Sequence, residues 1–118
     1  MGFSGGGSFS GVLACRRPDI RAFASGSGVA YYDPKDCVGT SAAWITVGAD
    51  ELIKARTDFR DFWVMRNKCQ PMTTPTPPSN CQAYACPKEG PVHFCVHPGG
   101  HLWPDYGTDA AWTFFQQF

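Results

Sequence analysis

The chain has 118 residues, a formal net charge of zero at pH 7, 43% hydrophobic and 17% charged residues, and six cysteines. That length allows one domain, 1–118, with a modest core. The balanced charge and the lack of a basic run argue against a nucleic-acid partner, and no apolar stretch reaches the roughly 20 residues needed to cross a bilayer, so no membrane partner is expected. Six cysteines in so short a chain suit an oxidising compartment. Residues Met1 to Ser10 are Gly/Ser-rich and lack the basic head and apolar middle of a signal peptide. A secreted or extracytoplasmic protein with its signal upstream of Met1 reconciles the two facts.

Phe9, Val12 and Leu13 fall at i, i+3 and i+4 and predict one face of a short helix that ends before Pro18. Gly5, Gly6, Gly7 and Gly11 are poor helix formers; close packing against a sharp turn would justify them. Ile20 to Val29 predicts a buried strand and its exit loop. Trp44 to Val47 predicts a second strand, ending in a Gly48-Ala49-Asp50 turn. Thr57 or Asp58 is expected to cap a helix carrying Phe59, Phe62, Trp63 and Arg66. Pro71 to Pro78 reads as a loop that regular structure excludes. Pro91 to His97 alternates Val92, Phe94 and Val96 with His93, Cys95 and His97, a half-buried strand with its histidines toward solvent. Ala111, Phe114, Phe115 and Phe118 mark a closing amphipathic helix. Helix, strand, strand, helix, strand, helix is a run of α/β units, predicting a mostly parallel sheet with flanking helices.

Three turns carry candidate chemistry: Gly2-Phe3-Ser4-Gly5-Gly6, Gly48-Ala49-Asp50 and Gly99-Gly100-His101. The first is a G-x-S-x-G pentapeptide, the strand-to-helix turn that exposes a nucleophilic serine, and the order Ser, acid, His accompanies it in α/β-hydrolases. In an open parallel sheet the strand C-termini lie along one edge, so turns after different strands converge there. A serine hydroxyl attacks only when an imidazole takes its proton, and a carboxylate must orient that imidazole. Ser4 is therefore the expected nucleophile, His101 the base and Asp50 the acid, with Glu51 a possible substitute for Asp50. The Gly5 N–H would be one oxyanion donor; the second normally comes from an upstream loop, which this chain does not contain. Trp103 and Tyr106 either line an aromatic substrate pocket or pack.

The cysteines admit two readings. Structural zinc sites present ligand pairs two to four residues apart. Cys69, Cys81, Cys86 and Cys95, with His93 and His97 nearby, offer one cysteine pair at that spacing and no matching second pair. Disulfides are expected, with no metal and no cofactor. Six cysteines leave the connectivity open; Cys15 with Cys37 is the expected first pair, leaving the later four to staple the Pro-rich loop to the His-bearing strand.

The residues around the three turns resemble a family. Gly2-Phe3-Ser4-Gly5-Gly6, Leu13-Ala14-Cys15-Arg16-Arg17-Pro18-Asp19, Arg66-Asn67-Lys68-Cys69 and Gly99-Gly100-His101-Leu102-Trp103-Pro104 are similar to segments of the secreted esterases grouped as polyhydroxybutyrate depolymerases and feruloyl esterases. Cys81-Gln82-Ala83-Tyr84-Ala85-Cys86 and Pro91-Val92-His93-Phe94-Cys95 look more like the feruloyl esterase branch. The resemblance implies the C-terminal part of an α/β-hydrolase catalytic domain, without its N-terminal strands and oxyanion loop. It also implies a Ser4, Asp50, His101 triad acting on hydroxycinnamoyl esters of plant polysaccharide or on polyhydroxyalkanoate polyester. The family's acid follows a Gly-Thr-Ala-Asp-like turn, where this chain has Gly48-Ala49-Asp50-Glu51. Half of such a sheet would leave an edge open to a second copy, so a dimer is a further expectation. The opposing expectation is a non-catalytic cysteine-rich or metal-binding module.

Overall fold

A computed structural model describes residues 1–118. Its elements are β1 (Gly2–Phe3), α1 (Gly5–Arg16), β2 (Ala22–Gly26), β3 (Ala42–Gly48), α2 (Lys54–Arg66), β4 (Gln70–Thr76), β5 (Cys81–Ala85), β6 (Val92–His97) and α3 (Gly107–Phe115). The six strands form one sheet in the order β1-β2-β3-β6-β5-β4. The first four are mutually parallel; β5 and β4 add in antiparallel fashion. The fold is thus mixed α/β, parallel on one side and antiparallel on the other.

Both faces of the sheet are covered. On one, Phe23, Ile45, Val47 and Phe94 pack against Ala14 and Cys15 of α1 and Phe59 and Trp63 of α2. Trp63 meets the Phe23 ring at 4.8 Å between centroids. On the other, Ala24, Trp44 and Cys95 pack against Ala111 and Phe114 of α3. Alternate residues of β3 and β6 feed the two layers, as strand geometry requires.

Four local expectations are corrected. In α1 the apolar triplet is not the buried stripe: Phe9 is 59% exposed, while Gly7, Ser8, Ser10, Gly11, Ala14 and Cys15 are buried. The helix lies so close to its neighbours that small residues occupy the contact, with Gly11 against the ring of Phe59. Helix α2 starts at Lys54, a turn before Thr57, with Ile53 at its cap position and no side-chain cap bond.

Pro71 to Thr76 is strand, not loop. Strand β4 is the sheet's edge and pairs only with β5, and an edge strand tolerates proline because one side needs no N–H donor. The register shifts between Gln70 and Thr73, around Pro71. Finally, β6 is covered on both faces, and His97 is buried at 2% exposure instead of facing solvent. Its Nδ1 lies 3.0 Å from the Pro98 carbonyl.

Three disulfides close the chain: Cys15–Cys37, Cys69–Cys86 and Cys81–Cys95, leaving no free cysteine. The first ties the end of α1 to the short 3₁₀ turn Pro34–Asp36. The third joins two residues directly opposite one another on β5 and β6. Cys69, Cys81, Cys86 and Cys95 are all consumed, so the thiols weighed as zinc ligands are not available to a metal.

Candidate active site

Ser4 stands between the two-residue β1 and the start of α1 with φ 57° and ψ −120°. A positive φ is uncommon for any residue but glycine and marks a turn held by its surroundings. The surroundings here are backbone: the Ser4 N–H donates to the Gly26 carbonyl at 2.8 Å, and the Ser8 N–H to the Ser4 carbonyl at 3.0 Å. The turn is so tight that a Cβ on Gly2 would lie 2.2 Å from the Gly6 carbonyl oxygen, which requires glycine at that position. Gly5 is the first residue of α1, where backbone N–H groups have no intrahelical acceptor.

His101 lies on the loop between β6 and α3. Its Nε2 is 2.9 Å from Ser4 Oγ and its Nδ1 is 2.8 Å from Glu51 Oε2. With a carboxylate on Nδ1, that nitrogen carries the proton, and Nε2 accepts from the serine hydroxyl. The ring of Phe3, the residue before the serine, packs on the imidazole at 4.8 Å between centroids. The His101 side chain remains 44% exposed, so a ligand can reach it.

Gly48 brings the acid-bearing and His-bearing loops together. A Cβ there would sit 2.2 Å from the Gly100 carbonyl oxygen, and the Asp50 N–H donates to the Gly99 carbonyl at 2.9 Å. Gly99 itself has φ 108°, open essentially to glycine.

The carboxylate bonded to His101 is that of Glu51, the substitute weighed for Asp50, and not that of Asp50 itself. Residues Ala49–Glu51 form a 3₁₀ turn, in which successive side chains point about a third of a turn apart. Asp50 uses its backbone N–H to hold the neighbouring loop, while its side chain is exposed and meets no hydrogen-bond partner. Glu51 follows on the side facing His101, and its extra methylene supplies the reach.

Two residues that the sequence reading passed over complete the surroundings of Glu51. The Ser27 hydroxyl donates to Glu51 Oε1, and Arg56 Nη1 lies 3.8 Å from Oε2. Burial by itself would raise the Glu51 pKa, but the Ser27 hydroxyl, the His101 N–H and the Arg56 charge together outweigh it and hold the carboxyl below its ordinary value. Ser27 was discoverable, since Gly26-Ser27-Gly28 follows β2 at the same sheet edge as the other turns. No sequence signal points to Arg56.

Neither aromatic candidate is hydrogen-bonded to Ser4, Glu51 or His101. Trp103 sits against Gly26 and Gly107 and tilts onto Trp44 at 5.9 Å; its indole N–H donates to Thr108 at 3.1 Å. Tyr106 borders a cleft of about 380 Å³ on the α3 side, with Trp44, Pro77, Pro78, His93 and Asp109 among its walls. His93 packs edge-on against Phe114 there, and burial lowers its pKa. None of Ser4, Glu51 and His101 lines this cleft.

No protein-family model matches the chain, and no curated protein matches it significantly. The arrangement is a hydroxyl on a tight turn, an imidazole bonded to it, and a carboxylate on the far ring nitrogen.

Proposed function

We propose that the protein is a serine carboxylic-ester hydrolase built on part of an α/β-hydrolase sheet. One observation carries this reading: a single imidazole lies 2.9 Å from the Ser4 hydroxyl and 2.8 Å from a carboxylate, across three turns remote in sequence. Ser4 Oγ attacks the ester carbonyl as His101 Nε2 removes its proton, and Glu51 stabilises the imidazolium that forms. The Gly5 N–H faces the developing oxyanion. His101 then returns the proton to the departing alcohol, leaving Ser4 acylated. Water, deprotonated by the same imidazole, releases the acid and restores the serine.

The substrate class rests on the motif resemblance and favours hydroxycinnamoyl esters of plant polysaccharide, with polyhydroxyalkanoate polyester next. Three disulfides fit an extracellular setting, and no helix is long and apolar enough to cross a membrane. Strand β1 ends the sheet beside Ser4, and pairing of that edge with a second copy is part of the proposal.

A fluorophosphonate probe tests the reading. We expect covalent labelling that Ser4→Ala abolishes, together with p-nitrophenyl ester turnover lost in the same variant. Labelling that persists in Ser4→Ala, or its absence from folded parent protein, overturns the assignment. Parallel assays on methyl ferulate and polyhydroxybutyrate then separate the two substrate classes.

A further inference from the structure

Glu51 is gripped from three elements. Ser27, one residue past β2, is buried at 3% exposure and has φ 53°. Its N–H donates to the Thr46 carbonyl at 2.9 Å, which fixes its backbone to β3. Its hydroxyl takes Glu51 Oε1 while His101 takes Oε2, so the two carboxylate oxygens have separate partners. Arg56, in the first turn of α2, donates from Nη1 to the Glu51 carbonyl at 3.1 Å and from Nε to the Ser27 carbonyl at 3.4 Å. One guanidinium therefore ties the Ser27 loop to the Glu51 turn. The Arg56 and Glu51 side chains are only 15% and 13% exposed, whereas Lys54–Asp58 on the same helix is open to solvent and screened.

We propose that Ser27 and Arg56 are positioning residues for the reaction at Ser4, fixing the rotation of the Glu51 carboxylate that presents Oε2 to His101. The inference rests on the esterase reading given above. A carboxylate bound at one oxygen can swing about its last torsion, which is broad; one bound at both cannot without breaking a bond. With Oε1 held by Ser27, the His101 Nδ1–H keeps one acceptor, and Nε2 stays free to receive the serine proton. Neither Ser27 nor Arg56 is bonded to Ser4 or His101, so their effect passes through Glu51. The polar and charged groups facing that carboxylate are Ser27 from the β2 loop, His101 from the β6 loop and Arg56 from α2; the Asp50 side chain is exposed and bonded to none of them.

The test compares Ser27→Ala, Arg56→Gln and Arg56→Lys with the parent by two readouts. In ester turnover, Ser27→Ala and Arg56→Gln each lower kcat by roughly tenfold to a hundredfold, the scale of a misplacement near 1 Å, with KM within about twofold. Arg56→Lys restores the charge without the planar fork and falls between Arg56→Gln and parent. The second readout needs no activity: the Glu51 side-chain carboxyl, followed by carbon NMR across acidic pH, titrates at higher pH in Ser27→Ala and Arg56→Gln. An unchanged kcat and an unmoved Glu51 titration in both variants overturn the proposal. If the parent shows no Ser4-dependent turnover, the esterase reading fails, and the Glu51 titration alone decides whether the grip exists. Should Arg56→Gln not fold, Ser27→Ala and Arg56→Lys carry both readouts.

Discussion

The parallel and antiparallel sides of the sheet are built by different means. Strands β2, β3 and β6 are buried almost throughout and hold together by packing, with β3 buried at every position. Strand β4, at the far edge, is exposed along nearly its whole length and contributes almost nothing to either core. Two of the three disulfides restrain that arm: Cys69–Cys86 closes the base of the β4–β5 pair, and Cys81–Cys95 ties β5 to β6. Ser4, Glu51 and His101 all lie on turns that follow strands of the parallel side. Where packing already fixes the backbone, side chains can be aimed; where it does not, sulfur supplies the restraint.

The largest effects are expected on the parallel side. On the proposed mechanism, Ser4→Ala and His101→Ala should each remove essentially all turnover, and the double variant should be no worse than either single one, because the members of a catalytic triad act as a unit. Losses that multiply in the double variant would count against one shared mechanism. Next comes the acid. Glu51→Gln should lower kcat by about 10⁴, the scale seen when a triad carboxylate loses its charge, whereas Asp50→Asn should leave kcat within about twofold, as expected of an exposed side chain without partners. The reverse ranking in a steady-state assay would restore Asp50 as the acid.

On the antiparallel side the expected damage is to stability. Replacing Cys69 and Cys86 together by serine should cost about 2–4 kcal/mol in denaturant unfolding, while Ser4 labelling of the still-folded fraction continues at the parental rate. Loss of labelling in step with stability would show that the two sides are not separable. The smallest effect concerns pH. Folding depresses the Glu51 pKa below its ordinary value of 4.5, so its contribution to stability is complete above that value and drains away as pH falls through the folded one. Glu51→Gln should therefore flatten the decline of Tm below about pH 4.5. An identical decline in both proteins would mean that Glu51 is not the depressed group.

The convergence of three strand-end turns was legible because it depends on order and on glycine, both written in the chain. The mixed α/β class and the Cys15–Cys37 pair were legible too. What was lost depended on neighbours. The apolar spacing of Phe9, Val12 and Leu13 indicated a helix but not which side would be buried, since the sheet approaches too closely for large residues. The prolines of β4 argued against a strand until its place at the edge removed the need for donors on one side. The choice between Asp50 and Glu51 turned on a single step of a 3₁₀ turn, finer than any composition or spacing rule resolves. Arg56 reaches the Ser27 carbonyl across a fold that sequence distance conceals.

The positive φ of Ser4 sets two demands on one position against each other. Glycine would occupy that backbone conformation at less conformational cost than serine. Ser4→Gly is therefore expected to melt at or above the parental temperature while losing all turnover. On the proposed mechanism, random change at this position would be rewarded by a sturdier, inert protein, and the nucleophilic hydroxyl is the reason to keep serine there. Residue 4 thus offers a direct assay of whether the molecule is kept for what it does or for how well it folds.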